Sequence, residues 1–321
     1  MMAHPTRERW TIGRVLKWTQ EHFAGRGVRT PRLDAELIVA HALDMDRVGL
    51  YVQSDQPLVP DERERIKALI RRRLDGEPVA YITGVKEFWG MALRITPDVL
   101  VPRPETEEIV EEACKLYQSR ATERLRFVDL GTGSGCLATA LCAEFPMAEG
   151  VAVDISEAAL DVARGNLDTL GFANRVEMRK GDMLDALHAD DKEFDLIVGN
   201  PPYVTTGEIE MLAPEVKSET RVALDGGTDG LDLVCKIVEN AHRRLLPGGW
   251  LLLEIGSGQD DDVSDIKPGV GLSFSGFRRD LAGIPRVAKW CAQRRLQIAR
   301  LFSNLKAVGM NLLRSDNNQD G

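Results

Sequence analysis

Phe127-Val128-Asp129-Leu130-Gly131-Thr132-Gly133-Ser134-Gly135 runs from a short apolar segment straight into alternating glycines. The apolar residues suit a buried strand. Glycines let the chain turn sharply there and let its backbone approach a ligand closely. The spacing is G-x-G-x-G, not the G-x-G-x-x-G of dinucleotide sites. Taken alone, such a turn also serves as a plain connection from strand to helix. Working outward, the unit recurs. Residues 150–154, 176–179, 194–198 and 250–255 form further strand-like segments, with helical stretches between most of them. This alternation predicts an α/β fold, a doubly wound, mostly parallel sheet with helices on both faces. Ligands bind such sheets beyond the carboxyl ends of the strands, so the chemistry is sought just after each one.

The second strand ends in Asp154, about 20 residues past the glycine turn, where the ribose rule places an acid. A carboxylate there can accept from both ribose hydroxyls, or it can simply cap the next helix. After the third strand come Asp182 and Met183, suited to an adenine amino group and the ring's face, or to an ordinary turn over a core methionine. The fourth strand ends in Asn200-Pro201-Pro202-Tyr203. Two prolines stiffen the backbone and remove two donors, so nearby carbonyls are left to accept. Asn200 adds a side-chain carbonyl, and Tyr203 a flat face for stacking. An idle asparagine at a buried strand end would be expensive. Together these groups can grip both hydrogens of a planar NH2, whose delocalised lone pair is a poor nucleophile. Holding it in line with an electrophile favours attack by positioning and charge stabilisation. An amide or an adenine amine would fit the grip equally well.

Upstream, residues 11–74 show helical periodicity. Ile12, Val15, Leu16 and Phe23 share one face, as do Leu33, Leu37, Ile38 and Leu43, then Ile66, Leu69 and Ile70. Phe88-Trp89-Gly90 and Leu93-Arg94-Ile95 suggest the two strands of a hairpin. The two prolines of Pro102-Arg103-Pro104-Glu105-Thr106-Glu107 exclude a helix interior, and the acids suit the start of a helix through Val110 and Ala113. Residues 263–277, with Pro268, Gly269, Gly271 and Gly276, suit a late helix poorly. Residues 291–306 suit one basic amphipathic helix, with Arg294, Arg295, Arg300 and Lys306, and residues 315–321 have a disordered composition. The expected organisation is a helical docking unit over 1–83, a hairpin linker over 84–102, a catalytic domain over 103–290, and an extension over 291–321.

These segments together resemble the class I S-adenosylmethionine-dependent methyltransferases, and more narrowly the release factor glutamine methyltransferase family. The resemblance spans roughly residues 10 to 290. Gly131, Thr132, Gly133, Ser134 and Gly135 match that family's cofactor loop, Asp154 its ribose acid, and Asn200, Pro201, Pro202 and Tyr203 its substrate motif. The residues 76–82, 99–107, 223–231 and 279–283 are family-like too. The NPPY motif is shared with adenine-N6 nucleic-acid methyltransferases, and the helical unit with the 99–107 segment narrows the likeness. It implies a Rossmann-like fold and S-adenosylmethionine as cofactor, with Asp182 and Met183 at the adenine. It further implies methyl transfer to the glutamine amide of the GGQ motif of peptide chain release factors, the protein partners. Met183 stands where the family often has an aromatic residue, so adenine stacking is weaker there or replaced by sulfur contact.

Composition sets bounds on all this. With 321 residues, 43% hydrophobic and 28% charged, the chain suits a globular protein of two domains. A net charge of -9 argues against a duplex-DNA binder, which needs a basic footprint. The five scattered cysteines suggest reduced thiols in the cytoplasm, not a disulfide or zinc framework. No signal peptide or membrane span is apparent. None of the five histidines stands at a strand end.

Overall fold

The computed structural model describes residues 9–293. Five helices come first: α1 (Ile12–Ala24), α2 (Pro31–Leu43), α3 (Arg47–Val52), α4 (Pro60–Leu74) and α5 (Val79–Thr83). The Thr11 hydroxyl accepts from the Arg14 amide and caps α1. Pro31 and Pro60 each open a helix, where a missing N–H costs nothing. Ile12, Leu16, Phe23, Ile38, Leu50 and Ile66 interlock in a core of their own. The face expected on the second helix needs correction. Leu33 is 40% exposed, whereas Asp34 and Glu36 are buried. This helix is wedged among α1, α3, α4 and α5, so it buries more than one stripe and must pair its inward acids. Burial works against the Glu36 charge, yet hydrogen bonds from Tyr51, Arg32 and Arg47 hold its pKa at about 2.

A hairpin follows, β1 (Val85–Phe88) and β2 (Met91–Arg94), with Phe88 opposite Met91. Trp89 and Gly90 are therefore the turn and not strand residues. Both have positive φ, 51° and 69°, as a two-residue hairpin turn requires. Next come α6 (Glu107–Tyr117), β3 (Leu125–Leu130), α7 (Cys136–Glu144), β4 (Ala148–Asp154), α8 (Glu157–Thr169), β5 (Val176–Lys180) and β6 (Phe194–Gly199). The chain continues through α9 (Pro214–Lys217), α10 (Asp232–Asn240), β7 (Leu245–Glu254), α11 (Asp260–Asp265), β8 (Leu272–Arg279) and β9 (Pro285–Ala292).

Strands β3 to β9 form one sheet in the order β5-β4-β3-β6-β7-β9-β8. The first five neighbours pair in parallel, and β9 is antiparallel to both β7 and β8. Period-2 alternation sends Phe127, Ala152 and Leu196 to the face covered by α6, α7 and α8. Val128, Val151 and Ile197 point to the face covered by α10 and α11. Strand order reverses beside β3, since β4 lies on one side of it and β6 on the other. Such a switch point opens a crevice at the carboxyl edge.

The end of the domain departs from a plain strand–helix alternation. Residues 263–277, which suit a late helix poorly, hold none beyond the end of the short α11. They lead into β8, whose register against β9 shifts between Phe274 and Phe277, around Gly276. That irregularity hid the strand's alternation. The proposed helix over 291–306 is wrong at its start, because Cys291 and Ala292 complete β9. Residues 294–306, like the tail over 315–321, lie outside the described residues. Among the described residues no helix is long and apolar enough to cross a membrane.

Candidate active site

The glycine turn and the Asn200 motif leave neighbouring strands at the same edge, because Leu130 pairs with Gly199. Gly131, Gly133 and Gly135 have φ of 68°, 53° and 77°, a region that side chains rarely adopt. A Cβ on Gly131 or Gly133 would meet no atom closer than 3.6 Å. It is backbone conformation, with open space in front, that calls for glycine at those two positions. Asp154 organises the turn from β4. Its Oδ2 accepts from the Gly133 amide and its Oδ1 from the Ser156 amide, each at 2.9 Å. Each oxygen keeps a lone pair for a further donor. Burial raises the Asp154 pKa above the usual carboxylate value.

A cavity of about 620 Å³ opens here. Residues 131–134, Asp154, Asp182 and Met183 line it, as do Thr106, Asn200, Pro202 and Val222. Within the turn, the Thr132 hydroxyl donates to buried Asp129 Oδ2 at 2.6 Å. Asp129 also accepts from the Ala138 amide at 3.2 Å, and burial pushes its pKa up to about 6. Asp129 Oδ1 and Ser134 Oγ are buried without a partner among the described residues. Orphaned polar atoms in a cavity wall are costly and mark the place of a polar ligand. Asp182 is held by the Lys236 ammonium at 2.6 Å and stands half-exposed. Met183 has a positive φ of 48°. Its methyl carbon lies 3.6 Å from where a Gly131 Cβ would sit.

In the fourth-strand motif, Asn200 Nδ2 donates to Thr106 Oγ1 at 3.2 Å. Asn200 Oδ1 has no partner among the described residues, nor do the carbonyls of Pro201 and Pro202. The Tyr203 hydroxyl donates to Glu254 Oε1 at 3.2 Å, and the Tyr203 carbonyl accepts from Gln259 at 3.0 Å. Asn200 and Pro202 belong to the cavity wall, whereas Pro201 and Tyr203 do not. His188 and His242 are also absent from it.

The sequence reading missed Thr106 and Glu254. Glu254 closes β7 and is 1% exposed. It accepts from Thr106 Oγ1 at 2.6 Å through Oε2, and burial pushes its pKa up to about 7. The signal was present, since Glu254 ends an apolar strand just as Asp154 does. The segment from Ala223 to Leu231 also has a clear task. Val204 and Gly226 exchange hydrogen bonds with it and the motif: the Val204 amide donates to Leu224 O (3.0 Å) and the Gly226 amide to Val204 O (2.8 Å). Gly230, at φ 77°, packs so closely that a Cβ would stand 2.3 Å from the Tyr203 carbonyl oxygen. Between the motif and this buttress, the chain reaches the N-terminal helices. Buried Arg73 pairs with Asp34 at 2.7 Å and with Glu215 at 2.5 Å.

An open α/β sheet with a glycine-turn cavity at its switch point suits a nucleotide-like cofactor, and the family matches make the chain a methyltransferase that uses S-adenosylmethionine. Family models match the chain at residues 14–84, as the PrmC N-terminal domain, and at residues 121–262, as a methyltransferase domain. A release factor glutamine methyltransferase of Geobacter sulfurreducens is 44% identical over 281 residues, covering 87% of this chain and 96% of that one. One from Rhodopirellula baltica is 40% identical, covering 87% and 95%. The chain belongs to the release factor glutamine methyltransferase family. Among solved structures, the hMettl16 catalytic domain shares the fold, with a TM-score of 0.50 at 15% identity over 73% of this chain and 82% of that one.

Proposed function

We propose that this chain transfers the methyl group of S-adenosylmethionine to the side-chain amide nitrogen of the glutamine in the GGQ motif of peptide chain release factors. The observation that carries the reading is Asn200. Its amino group is tied back to Thr106, which leaves its carbonyl oxygen and those of the two prolines, without partners among the described residues, free to accept. The family relationship supports glutamine over adenine, since the motif would hold either group. The buried, unpartnered Ser134 Oγ and Asp129 Oδ1 fit a polar cofactor in the glycine cradle.

In this reading, residues 131–135 and Asp154, Asp182, Met183 and Asn200 hold the cofactor, Asp154 through its remaining lone pairs. The cofactor supplies a methyl group on a positively charged sulfur, an electrophile that needs no further activation. Asn200, Pro201 and Pro202 accept the two amide hydrogens and fix the nitrogen's orientation, while Tyr203 stiffens the motif from behind. Accepting those hydrogens favours the positive charge that develops on the nitrogen as its bond to the methyl carbon would form and the carbon–sulfur bond break, leaving a neutral thioether; the nitrogen would then give up one of its two protons to water. The helices before residue 84 serve as the docking unit for the release factor, and the domain at 103–290 carries the reaction.

The test offers labelled cofactor with an intact release factor, its Gln→Ala version, and an adenine-containing oligonucleotide. Label is expected on the first alone. Equal label on the Gln→Ala version overturns the glutamine assignment, and label on the oligonucleotide alone transfers the activity to nucleic acid. Asn200→Ala is expected to lower turnover on the order of 10² to 10³, much more than it weakens cofactor binding.

A further inference from the structure

The geometry points to Glu254 as a positioning residue for this site: through Thr106 it sets which way Asn200 faces, and through Tyr203 it braces the motif's other end. A chain of hydrogen bonds runs from Asn200 Nδ2 to Thr106 Oγ1 (3.2 Å), then from the Thr106 hydroxyl to Glu254 Oε2 (2.6 Å). The Tyr203 hydroxyl meets the other carboxylate oxygen at 3.2 Å. Every donor points toward Glu254. An ionised carboxylate is an acceptor only, so this pattern is complete when Glu254 is charged. With Glu254 protonated, one oxygen becomes a donor. Either the Thr106 or the Tyr203 hydroxyl must then turn, and the anchor that orients Asn200 loosens.

Other groups bear on this carboxyl from the elements packed around it. Glu105, in the same turn as Thr106, raises its pKa, and Arg286 of β9 lowers it. Arg286 is shared with Asp280 at 2.8 Å and Glu105 at 3.8 Å. Cys136 of α7 lies within electrostatic range, its own pKa raised chiefly by burial. Burial dominates, so Glu254 gains and loses its proton close to neutral pH. Its carboxylate is the form that aligns the site, and turnover rises as it ionises.

The kinetic arm of the test rests on the proposed function, but the spectroscopic arm does not. The full chain is saturated with S-adenosylmethionine, and the Asn200 side-chain amide signals, assigned with Asn200→Ser, are followed by NMR across neutral pH. They are expected to titrate near pH 7 in the wild type and not in Glu254→Gln. Signals that fail to titrate, or titrate equally in the variant, overturn the inference whatever the methyl acceptor is. With a release factor as substrate, wild-type kcat is expected to rise about tenfold across neutral pH, and Glu254→Gln to be flat and about tenfold lower at the alkaline end. KM for the cofactor should stay within about twofold. Thr106→Ser is expected to keep most of the wild-type kcat, and Thr106→Val to lose it. Equal losses in Ser and Val variants, or a pH inflection that survives in Glu254→Gln, refute the role. Titration of Asn200 without any methylation of the release factor would sink the proposed acceptor and leave the Glu254 role standing.

Discussion

Replacing Glu254 by glutamine should make the protein more stable at alkaline pH while impairing it as an enzyme. The carboxyl is fully buried, and burial moves its pKa from 4.5 to about 7. Each tenfold change in an ionisation constant is worth about 1.4 kcal/mol, so ionising Glu254 in the folded protein costs about 3 kcal/mol more than in the unfolded chain. A raised carboxyl pKa means that the folded state binds the proton more tightly. Its stabilising contribution is complete below 4.5 and disappears as pH rises through about 7. Glutamine never ionises, but its amino group faces the Thr106 or Tyr203 hydroxyl, and a mismatched hydrogen bond costs about 1 kcal/mol. Glu254→Gln is therefore expected to be less stable than wild type by about 1 kcal/mol in mild acid and more stable by about 2 kcal/mol in mild alkali. Urea denaturation of both proteins at several pH values, followed by circular dichroism, measures the difference directly. Other titrating groups are common to both and cancel. A difference that does not change with pH would refute the reasoning, because it would mean that Glu254 titrates as an ordinary exposed glutamate.

Gly230→Ala places a methyl against the Tyr203 carbonyl at a positive φ, and should cost about 2 kcal/mol or more in a denaturant titration; turnover should fall with it. Asp154→Ala removes an acceptor that also pins Gly133, so S-adenosylmethionine binding should weaken about tenfold to a hundredfold by calorimetry. Unchanged affinity would remove Asp154 from the cofactor. Arg73→Met strands the buried Asp34 carboxylate and should destabilise by about 3–5 kcal/mol. The double variant Arg73→Met with Asp34→Leu should recover most of that loss in thermal unfolding, and a double variant no better than the single would refute the pairing argument.

Much of the sheet could be inferred from the chain because β3, β4, β6 and β7 are apolar runs closed by glycine or an acid. The last two strands could not. β8 carries Gly276 at a shift in register, and β9 alternates arginine and lysine with apolar residues, a mixture that also suits an amphipathic helix. In the second helix, periodicity pointed to Leu33, but tertiary packing buried the acids Asp34 and Glu36 by supplying arginines from distant segments. At the site, residues 131–134, Asp154, Asp182, Met183, Asn200 and Pro202 do line one cavity, whereas Gly135 does not. What sequence could not show was direction. Thr132 turns inward to Asp129, and Asp182 is engaged by Lys236. Thr106 and Glu254 lie 148 residues apart, so only folding reveals the hydrogen bond between them.

Under the proposed function, the pairing of Leu130 with Gly199 has a consequence for the spacing of methyl donor and acceptor. Adjacent strands stand about 4.8 Å apart in any sheet, and Gly131 and Asn200 are the next residues off two neighbouring rungs. The separation between donor cradle and acceptor grip is thus inherited from backbone hydrogen bonding, as the spacing of two jaws is set by the frame that carries them. A slip of one residue between β3 and β6 would turn the side chains of one strand to the opposite face. Loops can remodel what enters the jaws, but the gauge belongs to the sheet.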